Sequence, residues 1–252
     1  MSRRPKGRDN RDYDLTQLRE AGHGRSLHRD YSAHFFRWAF ARRHITATDH
    51  VLEISCGQDR PLSKILTGGI APHVDTYVGV DLNPLKPSES QRLTFLGEFN
   101  FIERWKELKA RRPKGYDVVV SMEVVEHFHS RFMPTFMNAC HALMKPGGTM
   151  LLSTPCYDGR RQAANHINEM TIDQLHRHID KAKLITTARY GTFIDIKHIG
   201  TARTSQLVSN EAVLELKKAL SLYFDNDAIS CIFAPLYADS ARNNLWVLKR
   251  TT

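Results

Sequence analysis

Three side chains able to bind a cation or move a proton, Glu123, Glu126 and His127, fall within five positions of one another in "SMEVVEHFHS" (121–130). If a helix begins here, spacings of three and four residues gather all three on one face. Hard divalent cations prefer carboxylate oxygens, and a neutral imidazole suits Mn²⁺, Co²⁺ or Zn²⁺ as well. A fourth ligand is on offer from His166 in "ANHINEMT". Glu123, Glu126, His127 and His166 are therefore candidate ligands for a divalent metal such as Mg²⁺ or Mn²⁺. Without a metal, His127 or Glu126 could serve as general base. A third reading is structural, with the acids and the histidine only shaping the start of a helix. His129, His141, His176 and His178 read as ordinary helix or core residues.

These residues need a frame to hold them. "HVLEIS" (50–55), "TYVGVDL" (76–82), "RLTFLGEF" (92–99), "YDVVVSM" (116–122) and "TMLLSTP" (149–155) are short apolar runs that read as strands. Helical stretches separate them, including "SRFMPTFMNACHALM" (130–144), with Pro134 in its first turn. Strands alternating with helices predict a parallel sheet covered on both faces, with ligands at the carboxyl ends of the strands. Farther on, "MTIDQLHRHIDKA" (170–182) reads as a helix capped by Thr171, and "RYGTFIDIKHI" (189–199) as an antiparallel strand. "NEAVLELKKALSLYF" (210–224) is an amphipathic helix and "NNLWVLKR" (243–250) a last strand. About 45 residues separate the two late strands, so the sequence does not dictate that they pair. Near the N-terminus, "DYDLTQLREAG" and "DYSAHFFRWAFARRHI" read as helices. The second is better suited to covering a pocket mouth, with Tyr31 and His34 in the lid, than to stacking on nucleic acid.

At the end of the first strand, Gly57 stands in a strand-to-helix turn where backbone can approach a ligand closely. Asp81 ends the second strand and is placed to accept from two ribose hydroxyls. Glu53, inside the first strand, could hold an amine-bearing part of the ligand. Order and content resemble the class I S-adenosylmethionine-dependent methyltransferases over residues 50–156: "LEISCGQD" at the acid and glycine turn, "VGVDLNP" at the ribose acid, "YDVVVSMEVVEHF" and "LMKPGGTMLLSTP" at the fourth and fifth strands. Ser55 and Asp59 stand where that family often has glycine. The resemblance implies a Rossmann-like α/β fold with a mainly parallel seven-stranded sheet, helices on both faces and an N-terminal helical cap. It implies S-adenosylmethionine as cofactor, with Glu53, Ser55, Cys56, Gly57, Asp81, Leu82, Met122 and Glu123 around it. The Glu-x-x-Glu-His segment further resembles that of the small-RNA 3′-terminal 2′-O-methyltransferases, where it and a later histidine bind a divalent metal that engages the terminal hydroxyls. It also resembles that of the ubiquinone-pathway O-methyltransferases.

Composition narrows the classes. A net charge of +9 favours polyanionic partners. Part of that charge sits in a basic arm, residues 1–11, read as flexible and able to contact polyanions; residues 12–252 are expected to form one domain, with a cap (12–46), a cofactor-binding half (47–156) and a substrate-side half (157–252). No run of eighteen apolar residues spans a bilayer, and four scattered cysteines suit a reducing, cytoplasmic setting. The Pro-Pro-aromatic motif of exocyclic-amine DNA methyltransferases is absent, and Cys156 in "STPCY" lacks the context of a cytosine-C5 nucleophile. The expected activity is methyl transfer to an oxygen, less favourably a nitrogen, of a small metabolite or a nucleic acid. The alternative is a catalytically silent methyltransferase-like subunit acting as a scaffold. An NAD(P)-linked oxidoreductase ranks third, because the chain lacks GxGxxG.

Overall fold

Fully buried β-branched runs make the centre of the sheet. The computed structural model describes residues 29–57, 74–87, 91–159, 162–200 and 210–251. The expected basic arm, the helix at 12–22, the helix after Gly57 with Asp59, and the side chains of Tyr31 and His34 lie outside what is described. The strands are β1 (His50–Ile54), β2 (Thr76–Val80), β3 (Leu93–Leu96), β4 (Tyr116–Met122), β5 (Met144–Pro155), β6 (Leu184–Phe193) and β7 (Asn243–Arg250). They form one seven-stranded sheet in the order β3-β2-β1-β4-β5-β7-β6. β1 to β5 pair in parallel, and β7 inserts antiparallel between β5 and β6. The two late strands do pair, and the helices that separate them lie off the sheet.

Helices cover both faces. On one side, α1 (Arg29–Arg42) packs Trp38, Phe40 and Ala41 against Val51, Val118, Val120 and Leu245. The Phe40 ring rests on Tyr190 of β6, centroids 4.7 Å apart. Trp38 and Phe40 are thereby spent on the sheet, while Arg42 and Arg43 stay exposed. On the other side lie α2 (Phe101–Arg111), α3 (Met133–Leu143) and α4 (Ile172–Lys181), over Leu52, Ile54, Val119 and Leu152. Each start has a local cause. Asn100 accepts from the Ile102 amide at 3.1 Å, Pro134 sits in the first turn of α3, and Thr171 and Gln174 form a reciprocal capping box. Along α4, Leu175 and Ile179 repeat at the spacing of one buried face. The late helices α5 (Asn210–Leu220) and α6 (Asn226–Phe233) close over a separate small cluster around Ile194, Val213 and Phe233.

Two expectations are corrected. The strand read at 189–199 begins at Leu184 and ends at Phe193; residues Ile196–His198 instead form a single 3₁₀ turn, opened by Asp195 accepting from the Lys197 amide. The segment after β4 is not the start of a long helix. Glu123 takes a left-handed φ of +55°, and the chain then makes one 3₁₀ turn, Val125–His127.

Candidate functional site

The site grows from the carboxyl ends of β1, β2, β4 and β5. At β1, Ser55 takes φ +57° and Gly57 φ +71°. A left-handed serine costs about 1–2 kcal/mol that glycine would not, which is the physical reason the position favours glycine. The Gly57 amide donates to Asp81 Oδ2 at 2.9 Å, and Asp81 Oδ1 accepts from the Asn83 backbone and side-chain N–H groups at 2.8 and 2.9 Å. Asp81 is thus fixed at the strand end, facing a cavity of about 40 Å³ that Ser55, Leu82, Phe99, Asn100, Ile102, Val124 and Phe128 also line. The Cys56 thiol lies under Gly79, where an added Cβ would come within 2.8 Å of the sulfur, so the second strand must be bare at that point. Glu53 is fully buried and accepts from the Tyr77 hydroxyl. Burial pushes its carboxyl up to about 8, with the Tyr77 hydrogen bond opposing and the charge of Asp81 adding to the rise. Met122, at the end of β4, is buried beside these strands on the α1 face.

Past β4 the left-handed turn at Glu123 sends its carboxylate toward β5 and β7. Oε1 accepts from the Ser153 hydroxyl at 2.8 Å and Oε2 from the Asn243 amide at 2.7 Å; Arg37, reaching down from α1, lies 3.8 Å from Oε1. Glu123 therefore stands apart from the group it was expected to join. Glu126, His127 and His166 do come together, with one ligand atom from each lying within 4.8 Å of the others. Glu126 is wholly buried. Its Oε2 accepts from Thr154 at 3.1 Å, and its Oε1, which finds no hydrogen-bond donor, faces His127 Nε2 at 3.8 Å. Burial first, and the neighbouring Glu123 charge second, hold its carboxyl well above the usual range. The two imidazole rings meet edge to face, centroids 4.9 Å apart.

The segment carrying His166 is stitched to the 3₁₀ turn by backbone. The Glu126 carbonyl accepts from the Ile167 and Asn168 amides at 2.9 and 3.1 Å, and the Val125 carbonyl accepts from the Asn168 side chain at 3.0 Å. His166 Nδ1 is 2.5 Å from Glu169 Oε1, which leaves Nε2 as its free ligand atom. Glu169 in turn accepts from the Ala163 amide at 3.0 Å and from Arg242 at 3.0 and 3.2 Å. Burial would raise its carboxyl, yet the His166 hydrogen bond, the Ala163 amide and Arg242 together hold it below the usual value. A carboxylate behind a histidine fixes tautomer and ring orientation, as behind metal-bound imidazoles generally.

A divalent ion with bonds of about 2.0–2.3 Å holds its ligand atoms roughly 3–4.5 Å apart, so the trio needs only small adjustments to accept one. The donor set fits. A buried carboxylate oxygen without a donor is costly unless something else, such as a cation, satisfies it. Sequence reading missed Thr154, Asn243, Asn168, Glu169 and Arg242. Only Glu169 left a signal, an acid three residues after His166. Cys156 is buried, and burial pushes its thiol up to about 12, which disfavours the thiolate a nucleophile needs.

Comparison with known proteins agrees with this frame. A family model described as "Methyltransferase domain" matches residues 22–190. The ubiquinone biosynthesis O-methyltransferase of Paraburkholderia phytofirmans is 30% identical over 182 residues, 69% of this chain and 74% of that protein. The one from Klebsiella pneumoniae strain 342 is 28% identical over 153 residues, 58% of this chain and 59% of that protein. The match to a second Klebsiella pneumoniae relative covers 44% of each chain, so the chain spans from under half to about three quarters of these relatives. Among solved structures, a SAM-dependent methyltransferase from Archaeoglobus fulgidus superposes with TM-score 0.53 at 17% identity, covering 88% of this chain and 94% of that one. The 1,6-didemethyltoxoflavin-N1-methyltransferase of Burkholderia thailandensis, holding S-adenosylhomocysteine, gives TM-score 0.54 at 17% identity, covering 88% and 80%. With a methyltransferase model matching more than half its length, the chain belongs to the methyltransferase-domain family, and it has the fold of the S-adenosylmethionine-dependent methyltransferases it superposes on.

Proposed function

We propose that the enzyme methylates one hydroxyl of a vicinal pair, with the 3′-terminal ribose of an RNA as first choice of acceptor, and that Glu126, His127 and His166 hold a divalent cation beside it. The observation that carries this reading is the buried Glu126 Oε1, without a donor among the described residues and facing His127, in a group that also includes His166. Three protein ligands on a six-coordinate ion leave positions for two acceptor oxygens. Bound there, the ion would lower the pKa of an acceptor hydroxyl. The sulfonium cofactor brings a methyl group that is already activated, so the protein's share is mostly alignment.

The chain's own residues divide that work. Gly57 and Asp81 would seat the nucleoside end of the cofactor, with Ser55, Cys56 and Leu82 around it and Glu53 toward its amine. Glu123, braced by Ser153, Asn243 and Arg37, would fix the floor between cofactor and acceptor with Met122. Glu169 would keep His166 Nε2 turned inward. Only in a metal-free site would His127, or Glu126 where it is ionised, take the acceptor proton; with the cation bound, both are committed as ligands. Relatives named for ubiquinone biosynthesis support a second acceptor class, hydroxylated aromatic metabolites with adjacent hydroxyls.

Calorimetry with Mn²⁺ in the presence of S-adenosylhomocysteine tests the metal site on the wild type and on His166→Ala. Stoichiometric binding that His166→Ala abolishes is the expected result, and no binding by the wild type overturns the metal reading. Methyl transfer to an RNA with a 3′-terminal ribose, to the same RNA ending in a 2′-deoxyribose, and to a catechol then separates the acceptor classes.

A further inference from the structure

We propose that the large cleft beside the Glu126–His127–His166 group is a subsite for a phosphoryl group of the methyl acceptor. The proposal rests on the acceptor reading above and adds what holds the acceptor beyond its reacting hydroxyl. The cleft has a volume of about 740 Å³, well within the range of small-molecule sites. Its walls are the end of β5 with Tyr157, the first turn of α4, the turn after β6 and the segment leading into β7. It therefore opens at the same end of the sheet as the three candidate ligands. One wall is shared with them: Arg242 lines the cleft and reaches back to Glu169, which holds His166.

The charges in the cleft are sorted by depth. Arg189 and Arg242 lie inside, with side chains 18% and 36% exposed, whereas Asp239 and Asp195 are 85% and 48% exposed. Asp158 and Asp173 are likewise exposed. Arg189 pairs with Asp239, and so exposed an acid adds little attraction. A phosphoryl oxygen that passes the exposed acids reaches two guanidiniums at the inner wall. Arginine binds such oxygens through paired, charge-assisted hydrogen bonds. Lys197, 69% exposed and paired with Asp195 at 2.8 Å, adds a positive charge at the rim.

The test compares a dinucleoside monophosphate having a free 3′-terminal ribose, the corresponding nucleoside, and phenyl phosphate. Each is titrated by calorimetry into the full chain with S-adenosylhomocysteine and Mn²⁺ present. A phosphoryl-bearing probe is expected to bind at least tenfold tighter than the nucleoside, and Arg189→Gln to remove most of that advantage while leaving S-adenosylhomocysteine and Mn²⁺ affinities unchanged. Lys197→Gln, on an exposed side chain that folding does not need, should cost about two- to threefold, and the advantage should shrink with added salt. If the dinucleotide gains, the phosphoryl group is that of a nucleic acid; if phenyl phosphate alone gains, the cleft stands and the RNA reading fails. Equal binding of all three probes, or an advantage that survives both substitutions, overturns the proposal.

Discussion

At the end of β1, Glu53 meets one neutral donor, the Tyr77 hydroxyl, in a wall of buried apolar side chains. Just past β4, Glu126 is equally cut off from water but meets one hydroxyl on one oxygen and the His127 imidazole near the other, with His166 in the same group. Burial does the same thing to both carboxyl groups, raising their affinity for a proton. On the proposed reading the neighbours decide what would replace that proton: a cationic ligand group at Glu53, a metal ion at Glu126. Position in the fold supplies the strain, and the donor set supplies the chemistry.

The largest expected effect comes from exchanging the two acids separately. Glu126→Gln should lower Mn²⁺ affinity at least about 100-fold without lowering the metal-free melting temperature, since it removes a costly buried acid. Glu53→Gln should leave Mn²⁺ affinity within about twofold. Equal metal losses in the two variants would erase the distinction. Next in size, Glu169→Gln should weaken Mn²⁺ binding about 10- to 100-fold, as partners behind a ligating histidine generally do, with S-adenosylhomocysteine affinity unchanged.

A smaller effect concerns protons. With its carboxyl held up to about 8 against an ordinary 4.5, Glu53 is mostly neutral at pH 7. An ammonium group arriving near it favours the ionised form, so binding of S-adenosylhomocysteine at pH 7 should release up to about one proton. Calorimetry in buffers of different ionisation enthalpy reads this directly, and Glu53→Gln should abolish it. The folded state holds the extra proton between about 4.5 and 8. Stability relative to Glu53→Gln should therefore fall as pH rises through that window and level off above it. The smallest effect is Ser55→Gly, which relieves the left-handed serine but frees the unfolded chain. A net gain of a few tenths to about 1 kcal/mol in chemical denaturation is expected.

How much of this was legible depended on whether the cause was local. "YDVVVSM" is β4 from first residue to last, and "HVLEI" is β1, because a strand buried on both faces is written in its own residues. β5 starts at Met144, five residues before the expected start, because Met144 pairs with Tyr116 across a register shift that no sequence pattern announces. β6 was displaced for a similar reason. As an edge strand it owes its limits to pairing with β7, and Ile185 is exposed on it. At the candidate site, Glu126 and His127 were readable from their spacing, and His166 from its place just beyond β5. The helix expected there would have included Glu123, but a left-handed φ at that residue turned it toward Ser153 and Asn243. Glu169 and Arg242 act across 3 and 76 residues from His166, and the longer link exists only once the sheet is assembled.

The place of β7 between β5 and β6 also sets an order of events. As the ribosome releases the chain, Glu123, Glu126, His166 and Glu169 all emerge before residues 242–250. Until that last segment slides into the gap, Glu123 lacks the Asn243 amide, Glu169 lacks the Arg242 guanidinium, and the edge of β5 is open. A chain released only as far as residue 241 would therefore hold the first five strands with two acids each short of one partner and a bare strand edge able to pair with other chains. The candidate site would thus be completed by the arrival of a strand, after the segment proposed to bind the cofactor has already emerged.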